Sequence, residues 1–170
     1  MRIRKFVTPV VAAIAAFASL PAMATAASAT TQTISANGLL HEVFNGRCLD
    51  GDVSGGGGNG SRAQLWDCNG LTNQIWYRVS GDNSLRIYPF GGTARCLDAD
   101  VSSGGGNGSR VQLWDCNGLT NQQWYWNGNV RAYVNGFNGR CLDADVSSGG
   151  GNGSKIQLWD CNGLTNQQWY

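Results

Sequence analysis

The sequence predicts an all-β domain made of three pseudo-symmetric repeats, each of about four short strands and one internal disulfide. Three observations predict it. The stretch from Arg95 to Tyr125 occurs three times. Arg140–Tyr170 differs from it at two of 31 positions (Arg110 becomes Lys155, Val111 becomes Ile156), and Arg47–Tyr77 at four (Gly51, Gly55, Ala63 and Ile75). Self-similarity at a nearly fixed period marks a repeat architecture. Six cysteines fall two per copy at identical spacing: Cys48/Cys68, Cys96/Cys116 and Cys141/Cys161. Finally, no stretch of ten or more residues outside the N-terminal thirty carries capped helical spacing of apolar side chains.

Taken in order, the chain opens with Arg2, Arg4 and Lys5, then an almost wholly apolar run from Phe6 to Leu20. Pro21 and small residues follow, with A-x-A endings at Ala24, Ala26 and Ala29. This is the pattern of a secretory signal peptide over residues 1–29, cleaved near 24–29, and it is too short and Ala-rich for a membrane span. Residues from about Ala24 to Asn37 read as a Thr/Ser/Ala-rich leader. A domain is expected over 33–170, with repeats at about 38–80, 81–127 and 128–170. Strands are expected at Leu39–Phe44, Leu85–Tyr88 and Val130–Val134, each ahead of a Gly- or Asn-containing turn. Cys-Leu-Asp, Gln-Leu-Trp and Gln-x-Trp-Tyr supply the others. Three such units must hide their strand edges to stay soluble. Closure around a pseudo-threefold axis does so, whereas an open solenoid needs atypical capping repeats that these near-identical copies lack.

Charge narrows the partners. Without Arg2, Arg4 and Lys5, the 12 Lys and Arg fall to nine against 11 Asp and Glu. No basic patch remains, so neither nucleic acid nor anionic membrane is an expected partner. Six cysteines allow fifteen pairings, and the repeat symmetry favours one bridge within each copy, as a secreted chain permits. A loop of that length is worth about 3 kcal/mol in the chain-entropy model. A zinc site is disfavoured because there is no C-x-x-C pair and His41 is the single histidine. The Asp-x-Asp segments starting at Asp50, Asp98 and Asp143 lack the acidic twelfth residue of a calcium loop. Asp52, Asp100 and Asp145 read instead as loop-shaping.

Side-chain alternation sorts the motifs. With Leu65 in the core, Gln64 and Trp66 share the outer face, as do Gln112/Trp114 and Gln157/Trp159. The residue x of Gln-x-Trp is Ile75, Gln123 and Gln168, so x faces water and Trp76, Trp124 and Trp169 point inward. On the same alternation Asn73, Asn121 and Asn166 lie with x. Gln74, Gln122 and Gln167 lie on the Trp side, where a buried amide requires a hydrogen-bond partner.

Cys-Leu-Asp, Gln-Leu-Trp and Asn-Gln-x-Trp, in register three times over about Leu39–Tyr170, resemble the ricin B-type lectins and the family-13 carbohydrate-binding modules. The resemblance implies a β-trefoil: a six-stranded barrel capped by three hairpins, one sugar pocket per repeat, and no catalysis. It implies a pocket acid at Asp50, Asp98 and Asp143, and a first amide at Gln64, Gln112 and Gln157. The aromatic platform falls on Trp66, Trp114 and Trp159. The second amide falls on Asn73, Asn121 and Asn166, supported by Gln74, Gln122 and Gln167. Every copy keeps the whole set. The chemistry agrees: a carboxylate accepts charge-assisted hydrogen bonds from neighbouring hydroxyls. Amides both donate and accept, and an indole face packs on the C–H side of a pyranose.

Other functions fit less well. A glycosidase needs two carboxylates in different roles, and each copy supplies the same set instead. The Asn-Gly-Ser segments at Asn59, Asn107 and Asn152 match a glycosylation sequon, but the Asn-Gly turn explains them. Arg47, Arg95 and Arg140 suggest only surface ion pairs. The expectation is a secreted, stand-alone, monomeric lectin without cofactor or metal that takes galactose-type or xylan-type glycans. The alternatives are a secreted inhibitor on the same fold and a targeting module for a separate glycoside hydrolase.

Overall fold

A computed structural model describes residues 34–170, with side chains from Asn37 onward; the expected signal peptide lies outside the described residues. Each repeat is built on one hairpin, in which the Cys-Leu-Asp strand pairs antiparallel with the Gln-Leu-Trp strand. These are β2 (Cys48–Gly51) with β3 (Ala63–Trp66), β6 (Arg95–Ala99) with β7 (Val111–Asp115), and β10 (Cys141–Ala144) with β11 (Ile156–Trp159). The central leucines Leu49, Leu65, Leu97, Leu113, Leu142 and Leu158 are wholly buried and meet in one core.

Backbone hydrogen bonds close the three hairpins into a ring. Leu113 N–H donates to Ser61 O, Leu158 N–H to Ser109 O, and Leu65 N–H to Ser154 O, at 2.7, 2.8 and 2.8 Å. Each repeat therefore offers its Gly-Ser turn to the next, and the third returns to the first. The remaining strands are β1 (Ile34–Gly38), β4 (Trp76–Val79), β5 (Ser84–Ile87), β8 (Trp124–Asn127) and β9 (Ala132–Asn135). They complete a sheet ordered β1-β4-β5-β6-β7 and another ordered β11-β10-β9-β8. All-β, threefold and stapled by Cys48–Cys68, Cys96–Cys116 and Cys141–Cys161, the architecture is the one expected.

The inward tryptophans are the largest core side chains. Trp76, Trp124 and Trp169 are buried, and each indole N–H donates to the carbonyl of a core leucine: Leu49, Leu97 and Leu142, at 2.9, 2.9 and 3.2 Å. A buried indole keeps its large apolar contact only if its N–H is satisfied.

Four local expectations are corrected. The leader does not run to Asn37, because Ile34–Gly38 forms β1 against β4. Leu39–Phe44 is not a continuous strand. It makes single bridges from His41 to Cys48 and from Glu42 to Trp169, then turns, because the buried Glu42 carboxylate accepts the N–H groups of Phe44 and Asn45. The other two strands begin and end one or two residues from the expected bounds, at Ser84–Ile87 and Ala132–Asn135. Lastly, the Asn-Gln of each Asn-Gln-x-Trp sits on a 3₁₀ turn rather than a strand: Thr72–Gln74, Thr120–Gln122 and Thr165–Gln167. A fourth 3₁₀ turn, Pro89–Gly91, lies in the second repeat.

Candidate functional site

The hairpin register brings the first two groups together. Asp50 lies directly opposite Gln64, Asp98 opposite Gln112, and Asp143 opposite Gln157. The glutamine Nε2 donates to Asp Oδ1 at 3.0, 3.1 and 2.8 Å. The 3₁₀ turn then delivers two more donors to Oδ2 of the same aspartate. In the first repeat these are Asn73 Nδ2 at 2.8 Å and Gln74 Nε2 at 2.9 Å. The distances are 2.9 and 2.9 Å at Asp98, and 2.9 and 3.0 Å at Asp143. Every pocket carboxylate is thus held by three amides, which leaves one of its roughly four lone-pair directions for an incoming hydroxyl.

Burial separates the three amides. Gln74, Gln122 and Gln167 are sealed in, and both ends of each are engaged. In Gln74, Nε2 also donates to Asp67 O at 3.1 Å, while Oε1 accepts Asn69 N–H at 2.8 Å. They stand behind the aspartate. The second amides also tie down the strand after it, as Asn73 Nδ2 donates to Gly51 O at 3.1 Å.

The two tryptophan sets divide as the alternation predicts. Trp66, Trp114 and Trp159 are 39%, 38% and 39% exposed, against 2% or less for the inward set. In the first repeat, Asp50, Gln64, Trp66 and Asn73 line a cavity of about 460 Å³. In the third, Asp143, Gln157, Trp159 and Asn166 line one of about 430 Å³. A neighbour's Asn-Gly turn forms part of each wall, through Gly153 in the first and Gly108 in the third. That contribution is invisible in a repeat read alone.

The middle site differs at its rim. Arg110 Nη2 donates to Gln112 Oε1 at 2.7 Å and approaches Asp100 at 3.5 Å. At the matching positions Arg62 pairs with Asp52 at 3.6 Å and Lys155 with Asp145 at 3.7 Å.

Burial pushes the pocket carboxyls Asp50, Asp98 and Asp143 above the ordinary aspartate value of 3.8, although their amide donors pull the other way. Asp52, Asp100 and Asp145 are held below it, chiefly by the hydroxyls of Ser54, Ser102 and Ser147. Their Oδ1 also accepts the serine N–H, at 3.0 Å for Asp52, so they shape the loop as expected.

Two features were underread in the sequence. Asn59, Asn107 and Asn152 reach across repeats: Nδ2 donates to the carboxylate of Asp115, Asp160 and Asp67, at 2.8, 2.8 and 2.9 Å. Each Asn Oδ1 accepts the backbone N–H of the same aspartate. Arg47, Arg95 and Arg140 join these latches by pairing with Asp67, Asp115 and Asp160. The recurrence of Asn and Asp at the same places in every copy was the available signal. His41 Nδ1 lies 3.7 and 3.4 Å from the sulfurs of Cys48 and Cys68, but these form a disulfide and offer no thiolate to a metal.

Residues 36–169 match the family described as the ricin-type beta-trefoil lectin domain. The chain belongs to that family. A comparison with curated protein sequences finds no match. Among solved structures, the lectin domain is similar to a designed threefold-symmetric protein, ThreeFoil, at 23% identity and a TM-score of 0.67. The match covers 78% of this chain and 95% of that one. It is also similar to the agglutinin from Abrus precatorius (23%, TM-score 0.66, 79% of this chain and 47% of that one). A third is a non-toxic homologue of type II RIPs from Momordica charantia (bitter gourd), solved with α-methyl-D-galactoside (20%, TM-score 0.65, 79% and 46%). The chain therefore spans about half the length of the two plant proteins. At these identities the likeness shows the β-trefoil fold, and the family match makes it a carbohydrate-binding one.

Proposed function

We propose that this protein is a secreted, non-catalytic lectin with three sugar sites that takes galactose-type or xylan-type glycans. The observation that supports it best is the threefold recurrence of one complete constellation: a buried carboxylate gripped by three amides beside an exposed indole. In each site the lone-pair direction that the three amides leave open on the aspartate accepts from a ring hydroxyl. Gln64, Gln112 and Gln157 and Asn73, Asn121 and Asn166 read hydroxyl direction, and the tryptophan stacks on the C–H face of the ring. Gln74, Gln122 and Gln167 position the aspartate without touching sugar. The galactoside bound to the bitter gourd protein supports the galactose alternative. A single shallow site of this kind has a Kd of roughly 0.1–10 mM, and three sites on one rigid body gain about 10²–10⁴ in avidity on a polymer.

The experiment is a glycan array with a polysaccharide pull-down, run beside an Asp50→Ala/Asp98→Ala/Asp143→Ala variant. Binding to a galactoside or xylan set that disappears in the variant is the expected result. A folded, disulfide-bonded protein that binds nothing on either platform would sink the lectin reading.

A further inference from the structure

One segment breaks the threefold symmetry next to the first site. At the second and third Gln-x-Trp motifs, the residue three before the Gly of a Phe-Asn-Gly in the following repeat (the first following the third) holds the motif through its backbone. Gly136 N–H donates to Gln123 O at 2.9 Å, and Val43 N–H to Gln168 O at 3.0 Å. The asparagine two residues later clasps the loop of the adjoining pocket, Asn138 Nδ2 to Gly105 O at 2.6 Å and Asn45 Nδ2 to Gly150 O at 2.7 Å. Beside the first Gln-x-Trp motif the matching residues, contributed by the second repeat, are Pro89, which has no N–H, and Gly91, which has no side chain. Neither hydrogen bond can form there.

What opens is a cleft of about 270 Å³ lined by Thr72, Ile75, Tyr77, Tyr88 and Gly91. The tyrosine rings stand edge-to-face, 5.2 Å between centroids and 85° between planes. At its edge Phe90 adopts a left-handed φ of 52° and is 75% exposed. Tyr88 and Ile75 are particular to this cleft: Asn135 and Glu42, and Gln123 and Gln168, hold the equivalent places. The cleft is a separate cavity whose lining neighbours that of the first pocket. Thr72 shares its 3₁₀ turn with Asn73 and Gln74, and Pro89 rests on Gly57 in the loop that carries Val53 and Ser54.

We propose that this cleft binds a neutral aromatic ring. The three pockets meet hydroxyl-rich ligands with a carboxylate and amides, and the cleft has neither. Its polar groups are hydroxyls, no charged side chain lines it, and a ring entering it stacks on one tyrosine while meeting the edge of the other. A dry cavity of about 150 Å³ already accommodates benzene, so a substituted ring fits. The cleft shares no lining residue with the pockets, and the proposal stands apart from the sugar reading.

The test titrates the protein with p-cresol and follows backbone amide and tryptophan indole resonances. A second arm compares p-tolyl β-D-galactopyranoside with methyl β-D-galactopyranoside. Two variants restore the symmetric sequence: Tyr88→Asn/Pro89→Gly/Gly91→Asn, and Ile75→Gln, which keeps a residue that two copies already carry. The expected result is millimolar p-cresol binding that shifts Thr72, Ile75 and Gly91 and weakens at least tenfold in a folded variant. A gain for the tolyl over the methyl galactoside, lost in the variants, identifies the ring as an aglycone of a sugar in the first site. Cresol binding without that gain identifies a free aromatic. Shifts confined to the indoles of Trp66, Trp114 and Trp159, undiminished binding in both variants, or no binding at saturating cresol overturns the proposal.

Discussion

At each pocket aspartate, burial and hydrogen bonding pull in opposite directions, and burial is the larger effect. The carboxyls of Asp50, Asp98 and Asp143 therefore take up protons above pH 3.8, where an ordinary aspartate is still mostly ionised. A protonated carboxyl loses its charge-assisted acceptance. Sugar binding is expected to fall on acidification through that raised range. The same shift acts on stability with the opposite sign: a carboxyl raised by folding adds stability below 3.8 and loses that contribution as pH rises through its folded value. Asp52, Asp100 and Asp145, lowered by folding, contribute above 3.8 and lose it only at more acid pH. Binding should therefore disappear before the fold does, measurable by titrating affinity and circular dichroism on one pH series. Unfolding that coincides with the loss of binding would count against this. Arg110 offers a second residue-scale prediction, since its guanidinium occupies the Gln112 carbonyl that a ligand hydroxyl needs. Arg110→Lys in an Asp50→Ala/Asp143→Ala background should strengthen the middle site by up to about 1 kcal/mol, read by calorimetry.

Among the elements, the hairpins were the most legible. Leu65, Leu113 and Leu158 alternate with polar and aromatic neighbours at period two, and a strand leaves no other way to bury them. The 3₁₀ turns were not legible. Asn-Gln-x-Trp places Gln inward by strand alternation, and a turn with hydrogen bonds from Gln74 N–H to Leu71 O places it inward as well. Two residues are too few to tell a period of two from a period of three. Residue differences between copies also became intelligible only in contact. Gly51 replaces the alanine of the other two repeats because a Cβ there would lie 2.7 Å from Ile87 Cδ1 and 3.0 Å from Leu113 Cδ1. Ile87 fills the space that Ala99 and Ala144 fill with their own methyls. Gly51→Ala should destabilise the protein by about 1–3 kcal/mol through overpacking, and Gly51→Ala/Ile87→Val should recover part of it. Urea denaturation of both variants measures this, and a neutral Gly51→Ala would refute the packing account.

Across the whole molecule, the three repeats are joined by the Gly-Ser ladder and the Asn–Asp latches, and the first and third pockets borrow part of their rim from a neighbour. The ring also closes between its ends: His41 N–H donates to Tyr170 O and Tyr170 N–H to His41 O, at 2.9 and 3.0 Å, with the two rings stacked. Three like sites held rigidly make valency testable. Variants that keep one, two or three pocket aspartates should bind a monomeric sugar with similar per-site affinity. Their retention on a sugar polymer should rise steeply with each site restored, by about 10²–10⁴ from one to three. Equal retention of all the variants on an affinity column would show that the sites do not act together.

The sequence alone determined the all-β class, the threefold repetition, the disulfide pairing, and which tryptophans face inward. Each of these follows from local periodicity or from a motif repeated in register, and neither needs a partner's position. Only the tertiary structure decided that Asn59 meets Asp115, that Gly153 walls the first pocket, and that Pro89 leaves a cleft where Gly136 closes one. These contacts join residues 13 to more than 50 positions apart in different repeats. Their geometry depends on how closed hairpins pack, which no single stretch of sequence encodes.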